Sequence, residues 1–222
     1  NNTTGDYNSA NGRGSLSSNT TGFENTASGV NALFANTIGA YNTASGVGAL
    51  HDNTSASFNT ASGYVSLYQN ATGERNTASG AYSLTNNTTG NNNTATGVGS
   101  LQSNISGSLN TASGQDALYS NTTGGSNTAD GPNALRSNTV GNSNTAAGSE
   151  ALFSNTTGNG NTASGYRALN NNMTGVNNTA IGANANVSTD ALSNATALGA
   201  EATVDASNKI RLGNAAVSVI EA

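Results

Sequence analysis

Cysteine and tryptophan are absent from this chain, proline and histidine occur once each, and only 8% of residues are charged. Without cysteine there is no disulfide scaffold and no thiolate metal site. With His51 the single histidine, a histidine cluster or a Ser-His-Asp triad within one chain is excluded. Lysine and arginine number 6 against 11 acidic residues, a net charge of -5, which argues against nucleic acid, whose binding is driven by basic contacts to phosphate. No apolar run approaches the roughly 20 residues that span a bilayer, and no signal peptide is visible. The chain opens in mid-repeat at NNTTGDY, so residues upstream are expected to have been removed.

What is present is a period. The pentapeptide NTASG occurs from Asn25, Asn42, Asn59, Asn76, Asn110 and Asn161, and one-residue variants start at Asn93, Asn127, Asn144 and Asn178, always 17 residues apart. A degenerate copy, NSANG from Asn8, extends the series, so residues 8 to 177 form ten repeats without insertion or deletion. A strict short period marks a solenoid in which each repeat is one turn stacked on its neighbours. Serine, threonine, asparagine and glycine in this abundance would signal disorder if they lacked a period.

The consensus is NTASGxxALxSNTTGxx. Its ninth slot is leucine throughout: Leu16, Leu33, Leu50, Leu67, Leu84, Leu101, Leu118, Leu135, Leu152 and Leu169. The slot before it is always alanine or serine, which together with leucine reads as packing. If NTASG is extended, alternation puts Asn, Ala and Gly on one face and Thr and Ser on the other. Asn25, Asn42, Asn59, Asn76, Asn93, Asn110, Asn127, Asn144 and Asn161 then form a ladder in which each amide bonds the one above and below. Glycine in the fifth slot, as at Gly29, and again in NTTG, as at Gly22, Gly73, Gly90 and Gly124, supplies corners with positive φ. Each repeat is therefore expected to hold two short strands and two turns, an all-β parallel β-solenoid or β-roll.

Energetically the turns look thin. At roughly 25 cal/mol per Å2 of buried apolar surface, alanine and one leucine per turn do not offset the ordering of a whole repeat. A lone chain is expected to be short of core. The free slots hold charges of either sign and nearly all the aromatics, so both are expected at the surface.

From Asn178 the pattern shifts. AIG at Ala180–Gly182 is followed by ALG at Ala197–Gly199, still 17 apart, and by RLG at Arg211–Gly213, 14 apart. We divide the chain into a regular solenoid, residues 1–177, and a closing segment, 178–222, with shorter turns that leads to a following domain. The stretch NTAIGANANVSTDALSNATALGAEATVDASNKIRLGN resembles the head repeats of trimeric autotransporter adhesins, with Ile181, Leu198 and Leu212 on that motif's apolar slot. The ending SNKIRLGNAAVSVIEA is similar to the segment that precedes the self-cleaving chaperone domain of phage tail fibres and related bacterial surface fibres. This resemblance implies a left-handed β-roll, a homotrimer whose chains share one axial core, and a place outside the cell: an outer-membrane surface fibre or a virion tail fibre.

Two functions follow. The first is a structural and adhesive fibre segment, shaft or head, that projects a binding surface toward a host-cell, prey or matrix glycan or protein. Tyr41, Phe58, Tyr64, Tyr68, Tyr82, Tyr119, Phe153 and Tyr166 offer the contacts, aromatic rings being large surfaces with a polar tip available; ordinary surface residues are the other reading of the same positions. The second is an ice-binding β-solenoid whose Thr and Ser columns, as Thr26 and Ser28 or Thr43 and Ser45, make a regular hydroxyl array. An enzyme is not expected, and neither is a cofactor or a metal: no pair of carboxylates recurs at a spacing suited to acid/base work. The pairs Gly12/Gly14, Gly46/Gly48 and Gly97/Gly99 complete no phosphate fingerprint. Asp130, the one carboxylate inside an NTASG slot, lacks the neighbouring ligands of a calcium loop. Asn19, Asn53, Asn121 and Asn155 begin glycosylation sequons that arise automatically from SNTTG.

Overall fold

The computed structural model describes residues 2–217. Eleven three-residue strands recur at the period of the sequence, β1 (Ser9–Asn11), β2 (Thr26–Ser28) and onward in 17-residue steps to β11 (Thr179–Ile181). Each lies parallel to the next in a register that sets like on like: Thr26 beside Thr43, Ala27 beside Ala44, Ser28 beside Ser45. β13 (Thr196–Leu198) and β15 (Ile210–Leu212) extend the same sheet to 13 strands, while β12 (Asn186–Val187) and β14 (Thr203–Val204) form a second, two-stranded sheet. The chain is thus an all-β parallel solenoid, with no helix among the described residues.

Two strands per turn were expected, and the regular turns have one. On the side away from the sheet every leucine from Leu16 to Leu169 sits in the left-handed region, with φ of 51° at Leu33 and 52° at Leu50. Extended backbone needs negative φ, so a second strand is broken at that slot. The turns still bond to one another there: the Leu33 amide donates to the Ala49 carbonyl at 3.0 Å and the Thr37 amide to the Thr54 carbonyl at 2.9 Å. The second sheet begins only where the leucine column ends; Asn186 and Thr203 take the slot, and Val187 and Val204 beside them are buried.

The glycine columns divide in the same way. Gly29 lies at φ 135°, as a corner requires. Gly22, Gly73, Gly90 and Gly124 do not lie in the left-handed region. They are glycine because a side chain has no room: a Cβ on Gly22 would run into the Gly39 carbonyl oxygen and the Asn19 amide. Corners are made instead by residues that carry no such signal, such as Glu24 at φ 52° and Tyr41 at φ 58°.

The alternation in each strand is as the sequence predicts, with Ala27, Ala44 and their successors inward and the flanking Thr and Ser exposed. From Leu33 to Leu169 every leucine of the column is fully buried within a single chain. The expected shortage of core is therefore overturned, and with it the need for partner chains to complete one. What the apolar accounting omitted is asparagine. In the first ladder the Asn42 amide nitrogen donates to Asn25 Oδ1 at 3.1 Å and to the Ala56 carbonyl at 2.8 Å, and Asn25 Oδ1 also accepts from the Asn42 backbone N–H at 3.0 Å. A second ladder, in the SNTTG slot, runs from Asn19 to Asn172; there Asn36 Nδ2 donates to Asn19 Oδ1 at 2.8 Å and to the Gly39 carbonyl at 3.0 Å. Among the described residues no buried side-chain nitrogen or oxygen lacks a partner. Satisfied amides fill volume without the cost of an orphaned polar group, so the narrow cross-section of the regular turns closes with Ala, Leu, Asn and a few buried serines such as Ser66 and Ser83.

Candidate functional surface

The outward residues of the sheet form two columns. Thr26, Thr43, Thr60, Thr77, Thr94, Thr111, Thr128, Thr145 and Thr162 are exposed, and beside them stand Ser28, Ser45, Ser62 and Ser79. Neighbours within a column are about 4.8 Å apart and the two columns about 6.6 Å apart, as pleated strands require. Among the described residues none of these hydroxyls bonds to another protein group. The threonines of the NTTG corner behave differently: Thr20 Oγ1 donates to the Thr37 carbonyl at 2.9 Å, Thr37 to Thr54 at 2.9 Å and Thr139 to Thr156 at 3.0 Å. One threonine column holds turn to turn, and the other is left to solvent. The second outer column changes along the axis, through Thr96, Asp130 and Ala147 to Ile181 and Leu198.

The aromatic candidates fall into separate groups. Tyr41 and Phe58 stack in the corner just before the strands, with ring centroids 4.9 Å apart; Phe23 meets Tyr41 edge-on at 5.1 Å, and the Arg75 guanidinium lies 5.4 Å from the Phe58 ring. Tyr64 and Tyr82 meet edge-on at 5.4 Å just after the strands. Both groups are about half exposed, so the outer sheet face of these early turns carries aromatic rings on each of its two edges. Tyr68, Tyr119 and Phe153 occupy the slot after leucine and are less exposed. There Phe34, His51 and Tyr68 stack at 5.0 and 4.6 Å, and Arg136 lies 5.1 Å from the Tyr119 ring. Tyr166 stands apart at the same edge as Tyr64, with Arg167 5.3 Å from its ring. Turn-to-turn stacking of this kind follows from a repeat that places successive variable residues one above another.

Charged groups pair at the surface, between turns at Arg167 and Glu150 and within a turn at Lys209 and Asp205. Arg167 Nε donates to Glu150 Oε2 at 2.6 Å, a bond that raises the affinity of the guanidinium for its proton. Lys209 Nζ donates to Asp205 Oδ1 at 2.7 Å and holds that carboxyl below its ordinary range. Both pairs are solvent-exposed, where screening leaves ion pairs little net effect. His51 Nδ1 lies 2.6 Å from Asp52 Oδ1, within the stack rather than free. Asp130 is exposed on the sheet face, and the described residues hold no group of three metal-ligating side chains. The sequon asparagines Asn19, Asn53, Asn121 and Asn155 are buried members of the second ladder, so folding removes their amides from any glycosylating enzyme.

At the closing end the outer face becomes apolar. Ile181 pairs with Leu198 and Leu198 with Leu212, while Ile210 takes the slot beside Thr196. Ile181, Ile210 and Leu212 are exposed, at 48%, 68% and 43%. Buried valines already fill the interior here, so these side chains contribute nothing to the chain's own core. No protein-family model and no curated protein matches the chain.

Proposed function

We propose that this chain is a rigid segment of a homotrimeric extracellular fibre, a shaft or head that carries an adhesive surface. The observation that carries the reading is the change of the outer sheet column from hydroxyl to Ile181, Leu198 and Leu212 at the closing end. Aliphatic side chains that a chain leaves on a flat exterior are stabilised by cover, and a second copy presents the same face. The number three, the left-handed winding and the cell-surface or tail-fibre setting rest on the resemblance of residues 178–213 to the head repeats of trimeric adhesins. Association then lies on the outer face and is not required to complete the core. Rigidity suits projection: the ten regular turns rise about 50 Å, at about 4.8 Å per turn. Sedimentation equilibrium of the intact chain in native buffer tests the reading; a mass three times that of one chain supports it, and a stable monomer at micromolar concentration removes it.

One observation favours the ice-binding alternative, namely that the outer threonine column is unbroken from Thr26 to Thr196 and its hydroxyls have no protein partner among the described residues. The neighbouring column weighs against it, because serine lacks threonine's methyl group and Asp130, Ala147 and Ile181 interrupt the array. Thermal hysteresis of a purified sample separates the two readings: none is expected, and a clear freezing-point gap would put the ice-binding function first.

A further inference from the structure

We infer that the outer sheet face of the early turns, between the Tyr41/Phe58 edge and the Tyr64/Tyr82 edge, is a binding site for a neutral polysaccharide lying along the solenoid axis. This rests on the adhesive reading above and names its ligand class. Eight of the chain's 11 aromatic residues lie from Tyr7 to Tyr82, so the ring-bearing surface is concentrated in the first five turns, with exposed Tyr166 standing apart from it. The floor between the two edges consists of Thr43, Ser45, Thr60, Ser62, Thr77 and Ser79, all exposed and none engaged by protein. Each such hydroxyl can both donate and accept, which is the requirement of a sugar hydroxyl opposite it. The half-exposed rings at the edges offer apolar surface to the C–H groups of pyranoses, and they are partly preordered by contact with one another.

Competing ligands fit less well. The floor of these turns has no ionisable group, and the one cation at its edge, Arg75, is paired with Glu74 at 3.3 Å, so a phosphate or an acidic glycan finds no unpaired countercharge there. An extended peptide adds to a sheet through unpaired backbone groups, and on this face the backbone is already spent in the ladder between turns. A polymer with a short repeat is matched by a surface with a short repeat, and the turn spacing of about 4.8 Å is close to the length of one pyranose unit.

The test is titration of the intact chain with soluble cello-, malto-, xylo- and chito-oligosaccharides of increasing length. At least one series binds, with affinity that grows with chain length. The paired variants Tyr41→Asn with Phe58→Asn, and Tyr64→Ser with Tyr82→Asn, each lose about tenfold or more, as truncation of buried aromatic contacts does. Asparagine is chosen at the left-handed corners because it tolerates positive φ. Phe153→Ser, on another side of the turn, binds as the parent does. Urea unfolding of each variant shows that the fold is intact. The proposal is overturned if no oligosaccharide binds, or if both edge variants, folded, bind like the parent. Should the chain still assemble as a trimer and adhere to cells in either case, the fibre reading stands and the site assignment alone fails.

Discussion

A buried asparagine in this solenoid serves the turn below and the turn above at once. Asn110 Oδ1 accepts from the Asn127 backbone N–H at 3.0 Å and from Asn127 Nδ2 at 3.2 Å, and its own Nδ2 donates to the Gly124 carbonyl at 2.9 Å. Asn110 Nδ2 also donates to Asn93 Oδ1 on the preceding turn at 3.2 Å. Removing the side chain orphans the buried Asn127 backbone N–H, at about 1–3 kcal/mol. It also takes one bond each from Asn127 Nδ2, the Gly124 carbonyl and Asn93 Oδ1, which keep another partner. Asn110→Ala is therefore expected to lower the unfolding free energy by at least about 2 kcal/mol, whereas Thr111→Val, one residue on but facing solvent, changes it by no more than about 0.5 kcal/mol. Equilibrium urea unfolding of the two variants reads both. The first ladder was legible in the sequence because NTASG repeats visibly. The second was equally available, since asparagine fills the SNTTG slot in every turn from Asn19 to Asn172, although the NTT of that slot shows first as a glycosylation sequon. The left-handed leucines were not legible, because leucine disfavours that conformation by about 1–2 kcal/mol and packing alone holds it there.

The element that matters is the single turn, and two changes probe it. Leu101 is fully buried between Leu84 and Leu118 in its column, so Leu101→Ala should cost about 2–5 kcal/mol in a urea titration, the range for a cavity opened at a core leucine. Deleting residues 93–109 removes one whole repeat and leaves every column in register. A folded protein with an unchanged far-ultraviolet spectrum and a smaller urea m-value is expected, since the surface exposed on unfolding scales with the number of turns. Deleting five residues from the same region throws Thr, Ala and Ser out of their columns and should unfold the turns on either side. The sequence displayed the period, the inward alanine and the outward hydroxyls, because each follows from alternation. It did not display that one strand per turn suffices, since that depends on a backbone angle at leucine and not on any residue preference.

At the scale of the molecule the groups that hold the turns together do not titrate. Both ladders are amides, the core is Ala and Leu, and the two ion pairs with perturbed proton affinity are exposed. Asp205, whose pKa is lowered by Lys209, contributes only above its unfolded pKa and loses that contribution as pH falls through the lower folded value. The unfolding midpoint is therefore expected to stay nearly level from about pH 5 to about pH 9, with any decline confined to the acid side; thermal melts across that range check it.

Self-sufficiency of one chain changes what association means. If copies meet through the apolar end of the outer face, replacing Ile181, Leu198 and Leu212 by threonine continues the hydroxyl columns and leaves the interior untouched. Sedimentation equilibrium of this triple variant beside the parent is the decisive measurement. The parent is expected at three times the mass of one chain, with the variant a folded monomer of the same far-ultraviolet spectrum. A parent that is already monomeric, or a variant that loses its fold on dissociating, would contradict the account.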